Sequence, residues 1–327
     1  MFGFGQLIDI LKKNPKKIVL TEGKDPRILE ASSRLLASNF LHPILIGDPD
    51  EIYDSAEDSG FNIRGSEIIN PADFEDIDKM VEEFCELRKS KGVTPEQARK
   101  YLLENNYFGT MLVKMGYADA LLGGATYSTA DTVRPALQLI KTKPGNSIVS
   151  SCFILVRPSA TGGNEVLAMG DCGIIIKPTE DELVEIAEET IRCAKIFGVD
   201  PKVAFLSYST DGSGSGEDVD KMRNAARKTK ERNPDVPIDG EMQFDAAVSP
   251  SVSKKKCPDS EVGGHANTFI FPDINAGNIG YKIAQRMGNF EAYGPILLGL
   301  NSPINDLSRG CTATEVYSMA IITAALS

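Results

Sequence analysis

The sequence predicts an α/β protein of two domains, each with a mainly parallel β-sheet, and an interdomain cleft. Short β-branched apolar runs alternate with amphipathic stretches along most of the chain, which is typical of βαβ units. The chain has 327 residues, more than the roughly 250–300 at which a single hydrophobic core stops growing. Pro144 and Gly145 interrupt the apolar pattern and favour a domain boundary. We therefore expect one domain at 1–145 plus 300–327 and a second at 146–299, with a small-molecule site in the cleft.

The first domain follows a regular order of strand and helix. Residues 17–21 form a β-branched run, and Asp25-Pro26 opens the next amphipathic stretch with a capping residue and a proline at the first helical position. We expect further strands at 43–48, 66–70 and 118–125, and helices at 48–60, 73–92, 94–106 and 128–142.

The second domain begins in a different style. Residues 147–158 and 165–178 are two apolar runs joined by 159–164, and they predict an antiparallel hairpin with a Gly-Gly-Asn turn. Strands are then expected at 202–209, 266–273 and 294–300, with helices at 179–198, Gly216–Asn233 and Asn278–Met287. A final apolar helix at about Ala313–Leu326 is expected to pack on the first domain.

Charge narrows the class of ligand. The net charge is −11 and the pI is near 4.9, which argues against nucleic-acid and anionic-membrane partners. No apolar run approaches the roughly 18 residues of a membrane span, and the basic residues of the N-terminus follow its apolar ones, the reverse of a signal peptide. We expect a cytoplasmic protein that binds anions through local arginines and backbone N–H groups.

Cysteine and histidine usage argues against a metal site. The six cysteines form no C-x-x-C pair and the chain has two histidines, so zinc, iron–sulfur and dithiol sites lack their spacing. We expect free thiols in a reducing compartment and no metal or cofactor. Acid–base chemistry then falls to carboxylates or lysines.

Three segments place polar residues where a strand passes into a helix, where N–H groups and the helix dipole favour an anion. In the first, two glycines precede Ser128 and Thr129, and Arg134 lies about one and a half turns into the helix. An arginine there opposes the helix dipole, although a surface arginine explains it equally well. In the second, polar residues open a helix after an apolar strand, namely Asn278, Tyr281, Lys282 and Arg286.

The third segment is Asn305–Cys311, which contains an exposed Ser308-Arg309-Gly310 turn. A guanidinium there suits two-point contact with a phosphate. The Gly- and Ser-rich loop at 210–216 fits no phosphate-binding motif, and a flexible helix-capping loop explains it equally well. Arg88, near a helix C-terminus, is by itself an ordinary charge that complements the helix dipole.

Four ordered blocks of the chain resemble the phosphate acetyltransferase (phosphotransacetylase) family, at residues 107–145, 239–250, 274–287 and 294–311. The similarity runs from about residue 17 to the C-terminus. It implies reversible acetyl transfer between coenzyme A and inorganic phosphate, a homodimer, and a fold like that of isocitrate and isopropylmalate dehydrogenases.

The resemblance also implies roles for single residues. Arg309 matches the arginine thought to hold the phosphate of acetyl phosphate, and Ser308 matches the serine proposed to hydrogen-bond the coenzyme A sulfur. Arg88 and Arg134 match two arginines implicated in substrate binding. Glu315 stands where the family usually has the aspartate proposed as the base for the thiol; it is one methylene longer and chemically competent.

These roles favour direct attack in a ternary complex. Glu315 removes the proton of a thiol whose pKa is near ~8.5, the thiolate attacks the acetyl carbonyl, and Arg309 with Arg134 binds the phosphate. Coenzyme A is then a substrate and not a cofactor. A covalent acetyl-enzyme on Cys311 is a rival, although no histidine accompanies that cysteine.

Other functions stay open on the sequence. A related enzyme could transfer propionyl or butyryl groups. A decarboxylating dehydrogenase follows from fold analogy alone and needs clustered metal-binding aspartates. A non-catalytic binding module is a third class.

Overall fold

The computed structural model describes residues 4–159 and 162–327. The described chain divides into two compact units, one formed by 4–144 with 300–327 and the other by 145–299. No helix among these described residues is both long and apolar enough to cross a membrane.

The first unit is built on a five-stranded sheet in which every neighbouring pair is parallel. Elements are numbered in chain order, and the strands of this sheet are β1 (Lys16–Leu20), β2 (Leu41–Ile46), β3 (Glu67–Ile69), β4 (Ala120–Gly123) and β11 (Ile304–Asp306). Their spatial order is β11-β4-β1-β2-β3. The central strands read as near-continuous apolar runs because helices cover both faces of such a sheet.

Helices surround this sheet, and most begin with a recognisable cap. They are α1 (Gly5–Lys13), α2 (Pro26–Ser38), α3 (Pro49–Ser59), α4 (Ile77–Leu87), α5 (Pro95–Leu102), α6 (Asn105–Lys114), α7 (Thr129–Pro135) and α13 (Ala313–Ala325). Asp25 and Asp48 accept N–H groups of the first turns of α2 and α3, each followed by a proline. Phe84 and Phe108 are almost fully buried in the core beneath them, each worth about 1.5–3 kcal/mol of transfer free energy.

The second unit is a six-stranded mixed sheet in the order β10-β5-β6-β9-β7-β8. The strands are β5 (Ser150–Pro158), β6 (Asn164–Gly170), β7 (Val203–Leu206), β8 (Ile238–Met242), β9 (Thr268–Ile270) and β10 (Glu291–Leu298). Its helices are α8 (Glu180–Ile196), α9 (Glu217–Arg232), α10 (Phe244–Val248), α11 (Pro250–Lys256) and α12 (Ile274–Met287). Strand β5 is antiparallel to both neighbours and the other pairs are parallel, so the α/β class with mainly parallel sheets is confirmed.

The predicted hairpin forms, but its second strand is shorter than expected. Strands β5 and β6 are antiparallel from the pair Cys152 and Gly170 to the pair Pro158 and Asn164, whereas residues 171–178 leave the sheet. The cause is Asp171, whose carboxylate accepts the N–H groups of residues 173–175 at 2.8–3.2 Å and so folds them into a turn. Residues 160–161 of the predicted hairpin turn lie outside the described residues.

Two helix predictions also need correction. Helix α12 begins at Ile274, four residues before the predicted start, because Asp273 caps it by accepting the N–H of Ala276 at 3.0 Å. Helix α7 is only seven residues long and continues as a π-helical turn at Ala136–Ile140. Pro135 lies at this change, where it lacks the N–H that an α-helix would use.

Candidate active site

The carboxyl ends of the five parallel strands of the first unit meet at one edge of the sheet, the usual place for a ligand in such folds. Three turns lie there, at 21–25 after β1, at 124–128 after β4 and at 307–311 after β11. The N–H of Leu307 donates to the carbonyl of Gly123 at 2.7 Å. The last two turns are therefore held side by side.

The turn after β11 has the form that the sequence predicted. The N–H of Cys311 donates to the Ser308 carbonyl at 2.9 Å, and the N–H of Gly310 donates to Ser308 Oγ at 3.2 Å. Ser308, Arg309 and Gly310 are exposed. The segment is thus a closed turn that presents a hydroxyl and a guanidinium outward, just before α13.

Arg309 is available to an anion. Among residues 4–159 and 162–327, no carboxylate forms an ion pair with its guanidinium. Burial raises the pKa of Asp306, and the positive charge of Arg309 opposes part of that rise. In a chain with a net charge of −11, such a guanidinium supplies the local positive charge that an anionic ligand needs.

A buried glutamate holds the turn after β4. Glu22 is 6% exposed, and its Oε1 accepts the N–H groups of Gly124 and Thr126, both at 3.0 Å. Its Oε2 accepts the Thr21 hydroxyl at 2.8 Å. Burial raises the pKa of Glu22 above its ordinary value, and these hydrogen bonds oppose only part of the rise.

The hydroxyls of Ser128 and Thr129 have structural partners. Ser128 Oγ donates to Asp131 Oδ2 at 2.6 Å, and Thr129 Oγ1 donates to Asp306 Oδ2 at 2.7 Å. Both hydroxyl protons therefore serve the scaffold. The N–H of Asp131 donates to the Ser128 carbonyl at 2.9 Å, so among the described residues of the first turn of α7 the N–H groups of Thr129 and Ala130 are left as donors for a ligand.

The structure brings Arg88 and Arg134 to one tyrosine. Burial raises the pKa of Tyr107, and the charges of Arg134 and Arg88 both oppose that rise. Arg134 is 56% exposed and lies 3.7 Å from Asp131 Oδ1, whereas Arg88 is half-buried and directly follows α4. Two arginines 46 positions apart in the sequence thus share one neighbourhood.

Glu315 has a structural role at the start of α13. Its Oε2 accepts the N–H and the hydroxyl of Thr312 at 2.7 and 3.0 Å, while the N–H of Glu315 donates to Thr312 Oγ1 at 3.2 Å. This reciprocal capping box satisfies two backbone donors. The carboxylate is exposed, so the box orients it without burying it.

The four predicted residues of α12 belong to the second unit and lie in the body and last turn of the helix, not at its N-terminus. Asn278 donates to the Cys172 carbonyl at 3.1 Å and accepts from Lys282 at 2.7 Å. The Tyr281 ring stacks on Phe153 with centroids 3.9 Å apart. Arg286 is exposed in the last turn. The predicted placement at a helix mouth is wrong because α12 starts earlier.

A cavity of about 500 Å³ opens at the same sheet edge of the first unit. Its lining includes Glu22, Asn70, Asn105, Thr126 and Tyr127. Burial, with the nearby Glu22, raises the pKa of Tyr127 to about 12. Glu22 and Thr126 also form the scaffold of the turn after β4, so the cavity adjoins that turn, although no residue of 307–311 lines it. Its volume is within the size range of small-ligand pockets.

Comparison with known proteins identifies the family. The sequence profile of the phosphate acetyl/butaryl transferase family matches residues 4–324. The chain belongs to that family. It is 53% identical to the phosphate acetyltransferase of Bacillus subtilis over 94% of both chains. A phosphotransacetylase structure from Streptococcus pyogenes superposes with a TM-score of 0.94 at 52% identity, covering 99% of this chain and 97% of that one.

More distant structures share the fold alone. A branched-chain phosphotransacylase from Enterococcus faecalis is 19% identical with a TM-score of 0.67, over 95% of this chain and 99% of that one. A 4-hydroxythreonine-4-phosphate dehydrogenase, described as putative, from Salmonella typhimurium is 12% identical with a TM-score of 0.53, over 96% and 100%. The predicted family, the acyltransferase class and the dehydrogenase-like fold are thus confirmed.

Cys311 bears on the rival covalent route within this family. It is 7% exposed, and burial raises the pKa of its thiol, which Arg27 only partly offsets. The thiol is therefore protonated at neutral pH and suited to packing more than to attack. All six cysteines are free thiols. Within the described residues, no group of three or more His, Cys, Asp or Glu side chains is arranged to hold a metal.

Three residues of the candidate site escaped the sequence reasoning. Glu22 and Arg27 flank the Asp25-Pro26 pair that was interpreted only as a helix start, and Asp306 lies inside the predicted segment without an assigned role. The available signal was their position, because charged residues directly after buried parallel strands face the edge where ligands bind.

Proposed function

We propose that the chain catalyses the reversible reaction of acetyl-CoA with phosphate to give coenzyme A and acetyl phosphate. The observation that carries the proposal is the exposed Ser308-Arg309 turn at the carboxyl edge of the parallel sheet, whose guanidinium has no carboxylate partner among the described residues. Relatives of this chain at about half identity are named phosphate acetyltransferases and phosphotransacetylases. Coenzyme A takes part as a substrate.

In the proposed mechanism, the coenzyme A thiolate attacks the acetyl carbonyl directly. Glu315 removes the thiol proton from its oriented, exposed position, and Ser308 steadies the sulfur. Arg309 and Arg134 hold the phosphate as the bond from the acetyl carbon to the phosphate oxygen breaks. Binding through charged donors stabilises the dianion that leaves.

The other substrate-binding residues stand as proposals with the same reaction. Arg88 adds a second cation near Tyr107. Ser128 and Thr129 are proposed as further substrate contacts, Thr129 through its backbone N–H, whereas the N–H and the hydroxyl of Ser128 already donate to Asp131. The polar residues of α12 are proposed as further substrate contacts, namely Asn278, Tyr281, Lys282 and Arg286.

Acetyl is the proposed acyl group. The structure that carries a branched-chain name is 19% identical, whereas the acetyl-named relative is 53% identical. The dehydrogenase alternative rests on a 12% identical structure, which supports the fold alone.

The test is formation of acetyl-CoA from acetyl phosphate and coenzyme A, followed by the ultraviolet absorbance of the thioester, with propionyl and butyryl phosphates as competitors. Arg309→Gln should lower kcat and raise the KM for acetyl phosphate in this direction, and the KM for phosphate in the reverse reaction, because it removes the charge that holds the phosphate group. Arg64→Gln is the matched control, since Arg64 is exposed just before β3 and therefore near the opposite edge of the same sheet. Equal rates for the two variants, or no thioester with the unmodified protein, would remove the proposal.

We further propose a cytoplasmic homodimer. Helix α12 exposes Ile279, Ile283 and Met287 at 59%, 53% and 80%, which at spacings of four residues form one apolar stripe. A two-fold contact buries the same stripe on both copies. The six free thiols favour a reducing compartment.

Light scattering of purified protein tests the dimer. Ile283→Glu should shift the mass towards that of the monomer, because two charges would face each other across the contact. Val248→Glu, at another exposed aliphatic position of the same unit, should leave the mass unchanged. A dimer that survives Ile283→Glu contradicts this assignment of the contact.

A further inference from the structure

Arg27 connects two turns of the candidate site that are far apart in the sequence. Its Nη1 donates to the carbonyls of Arg309 and Cys311 at 2.8 and 3.2 Å, and lies 3.6 Å from Cys311 Sγ. Its Nη2 donates to the carbonyl of Ala125 at 3.0 Å. One planar guanidinium thus bonds to the backbone of both the turn after β11 and the turn after β4.

The guanidinium is itself held in place. Arg27 Nε donates to Asp25 Oδ1 at 2.9 Å and Nη2 donates to Asp25 Oδ2 at 2.7 Å, a two-point contact with the capping carboxylate of α2. The hydrogen bond to Asp25 raises the pKa of Arg27. Burial alone would raise the pKa of Asp25, but the hydrogen bonds and charge of Arg27 lower it. Both groups therefore stay charged at neutral pH.

These contacts do not make Arg27 a substrate ligand. Its side chain is 28% exposed, and its Nε, Nη1 and Nη2 all donate to protein acceptors. A guanidinium has five N–H donors in a rigid fork. Here that fork donates to the carbonyls of Arg309 and Cys311 in the turn after β11 and to the carbonyl of Ala125 in the turn after β4.

We propose that Arg27 is a positioning residue that sets the backbone of residues 309–311, and through it the direction of the Arg309 side chain towards phosphate. The inference rests on the proposed phosphate role of Arg309. It adds a link from the first helix turn after β1 to the turn after β11, across 282 residues of sequence.

The experiment compares Arg27→Ala and Arg27→Lys with Arg34→Ala. Arg34 lies two turns later on α2 and also reaches the C-terminal segment, through a 3.2 Å bond to Thr314 Oγ1 and a contact 4.3 Å over the Tyr317 ring. It is a matched control because it touches α13 and leaves 309–311 alone. Acetyl-CoA formation is measured with acetyl phosphate varied and separately with coenzyme A varied, and acetyl-CoA consumption is measured with phosphate varied.

Arg27→Ala should lower kcat on the order of 100-fold, the effect of a small misplacement of a binding group. It should raise the KM for phosphate and leave the KM for coenzyme A unchanged. Arg27→Lys keeps the charge beside Asp25, but a single ammonium cannot reach carbonyls of both turns. It should remain folded with an intermediate kcat. Guanidinium ion at millimolar concentration should restore part of the activity of Arg27→Ala and none to Arg34→Ala.

A second readout does not depend on turnover. Alkylation of Cys311 by iodoacetamide, followed by peptide mass spectrometry, reports whether the turn opens, since this thiol is 7% exposed. Labelling should be severalfold faster in Arg27→Ala than in the unmodified protein or Arg34→Ala. If no thioester forms with the unmodified protein, the proposed function fails while the labelling still tests the positioning role.

The positioning role is overturned if Cys311 labels at the same rate in Arg27→Ala and the unmodified protein. It is equally overturned if Arg27→Lys keeps full kcat and an unchanged KM for phosphate, or if Arg34→Ala raises that KM as much as Arg27→Ala does.

Discussion

Gly124 is the residue of the site scaffold whose replacement can be predicted most closely. Its φ is +100°, a backbone region that L-residues rarely adopt, and a Cβ there would lie 2.2 Å from Asp306 Oδ1 and 3.0 Å from both N and O of Leu307. The first obstacle is a buried carboxylate and the second is backbone. Neither can move aside without shifting β11.

The expected cost of Gly124→Ala has two parts. Placing a side chain at this positive φ costs about 1–2 kcal/mol, and forcing a methyl group into a packed site costs about 1–3 kcal/mol more. The sum is about 2–5 kcal/mol of unfolding free energy. Gly116→Ala is the matched control, because Gly116 has φ +80° with nothing within 4 Å of its added Cβ. Gly116→Ala should lose only the about 1–2 kcal/mol of unfolding free energy that the positive φ costs.

Urea unfolding followed by circular dichroism measures both variants, and the difference in their midpoints isolates the clash with Asp306 and Leu307. The same variants are assayed for thioester formation. Gly124→Ala should lower kcat because its N–H donates to Glu22 and its turn adjoins that of Ser308-Arg309, whereas Gly116→Ala should not. Equal midpoints for the two variants would refute the steric reasoning.

Three further predictions concern side chains of the same edge. The raised pKa of Glu22 means that the folded state holds this proton to higher pH than the unfolded state. Its contribution to stability is therefore greatest below the ordinary glutamate pKa and is lost as pH rises through the folded value. Glu22→Gln should flatten that decline in urea midpoints measured from acid to neutral pH, and an unchanged slope contradicts it. Glu315→Gln can keep the capping box with Thr312 but not the base, so kcat should fall by about 10²–10⁴ at an unchanged melting temperature; retained kcat would exclude Glu315 as the base. Cys311→Ser should keep turnover in steady-state assays, whereas complete loss with no release of phosphate would favour an acetyl-cysteine.

The sequence predicted the parts of the fold that local pattern controls. The parallel strands of the first unit and the cap Asp25 follow from apolar runs and capping signals that act within a few residues. The failures come from single residues. Asp273 caps α12 early, and Pro135 interrupts α7. Residues 173–175 have the apolar pattern of a strand, but the Asp171 carboxylate offers their N–H groups a competing acceptor.

The site shows the same division between local and distant contacts. The Ser308–Cys311 turn closes on itself through hydrogen bonds between residues two and three positions apart, and the sequence was sufficient to predict an exposed turn here. Arg27 holds this turn against the rest of the edge, and it lies 282 and 284 residues before the two residues whose carbonyls it bonds, Arg309 and Cys311. No periodicity or motif connects positions so far apart in the sequence. Thr129 with Asp306 is a second such pair, at a separation of 177.

The buried carboxylates raise a physical question, since an anion site gains nothing from negative charge beneath it. Glu22 meets two backbone N–H groups with one oxygen and the Thr21 hydroxyl with the other, a set of donors that favours a group with two acceptor oxygens. Burial raises the pKa of both Glu22 and Asp306, which reduces the free-energy preference of each for its charged form. The edge thus uses these two carboxyl groups as acceptors, Glu22 for backbone N–H groups and Asp306 for the Thr129 hydroxyl, while their burial limits the charge that a phosphate on Arg309 would meet. On this reasoning, the acidic composition of the chain and its binding of an anion are compatible, because Glu22 and Asp306 are turned inward and the Arg309 guanidinium is exposed.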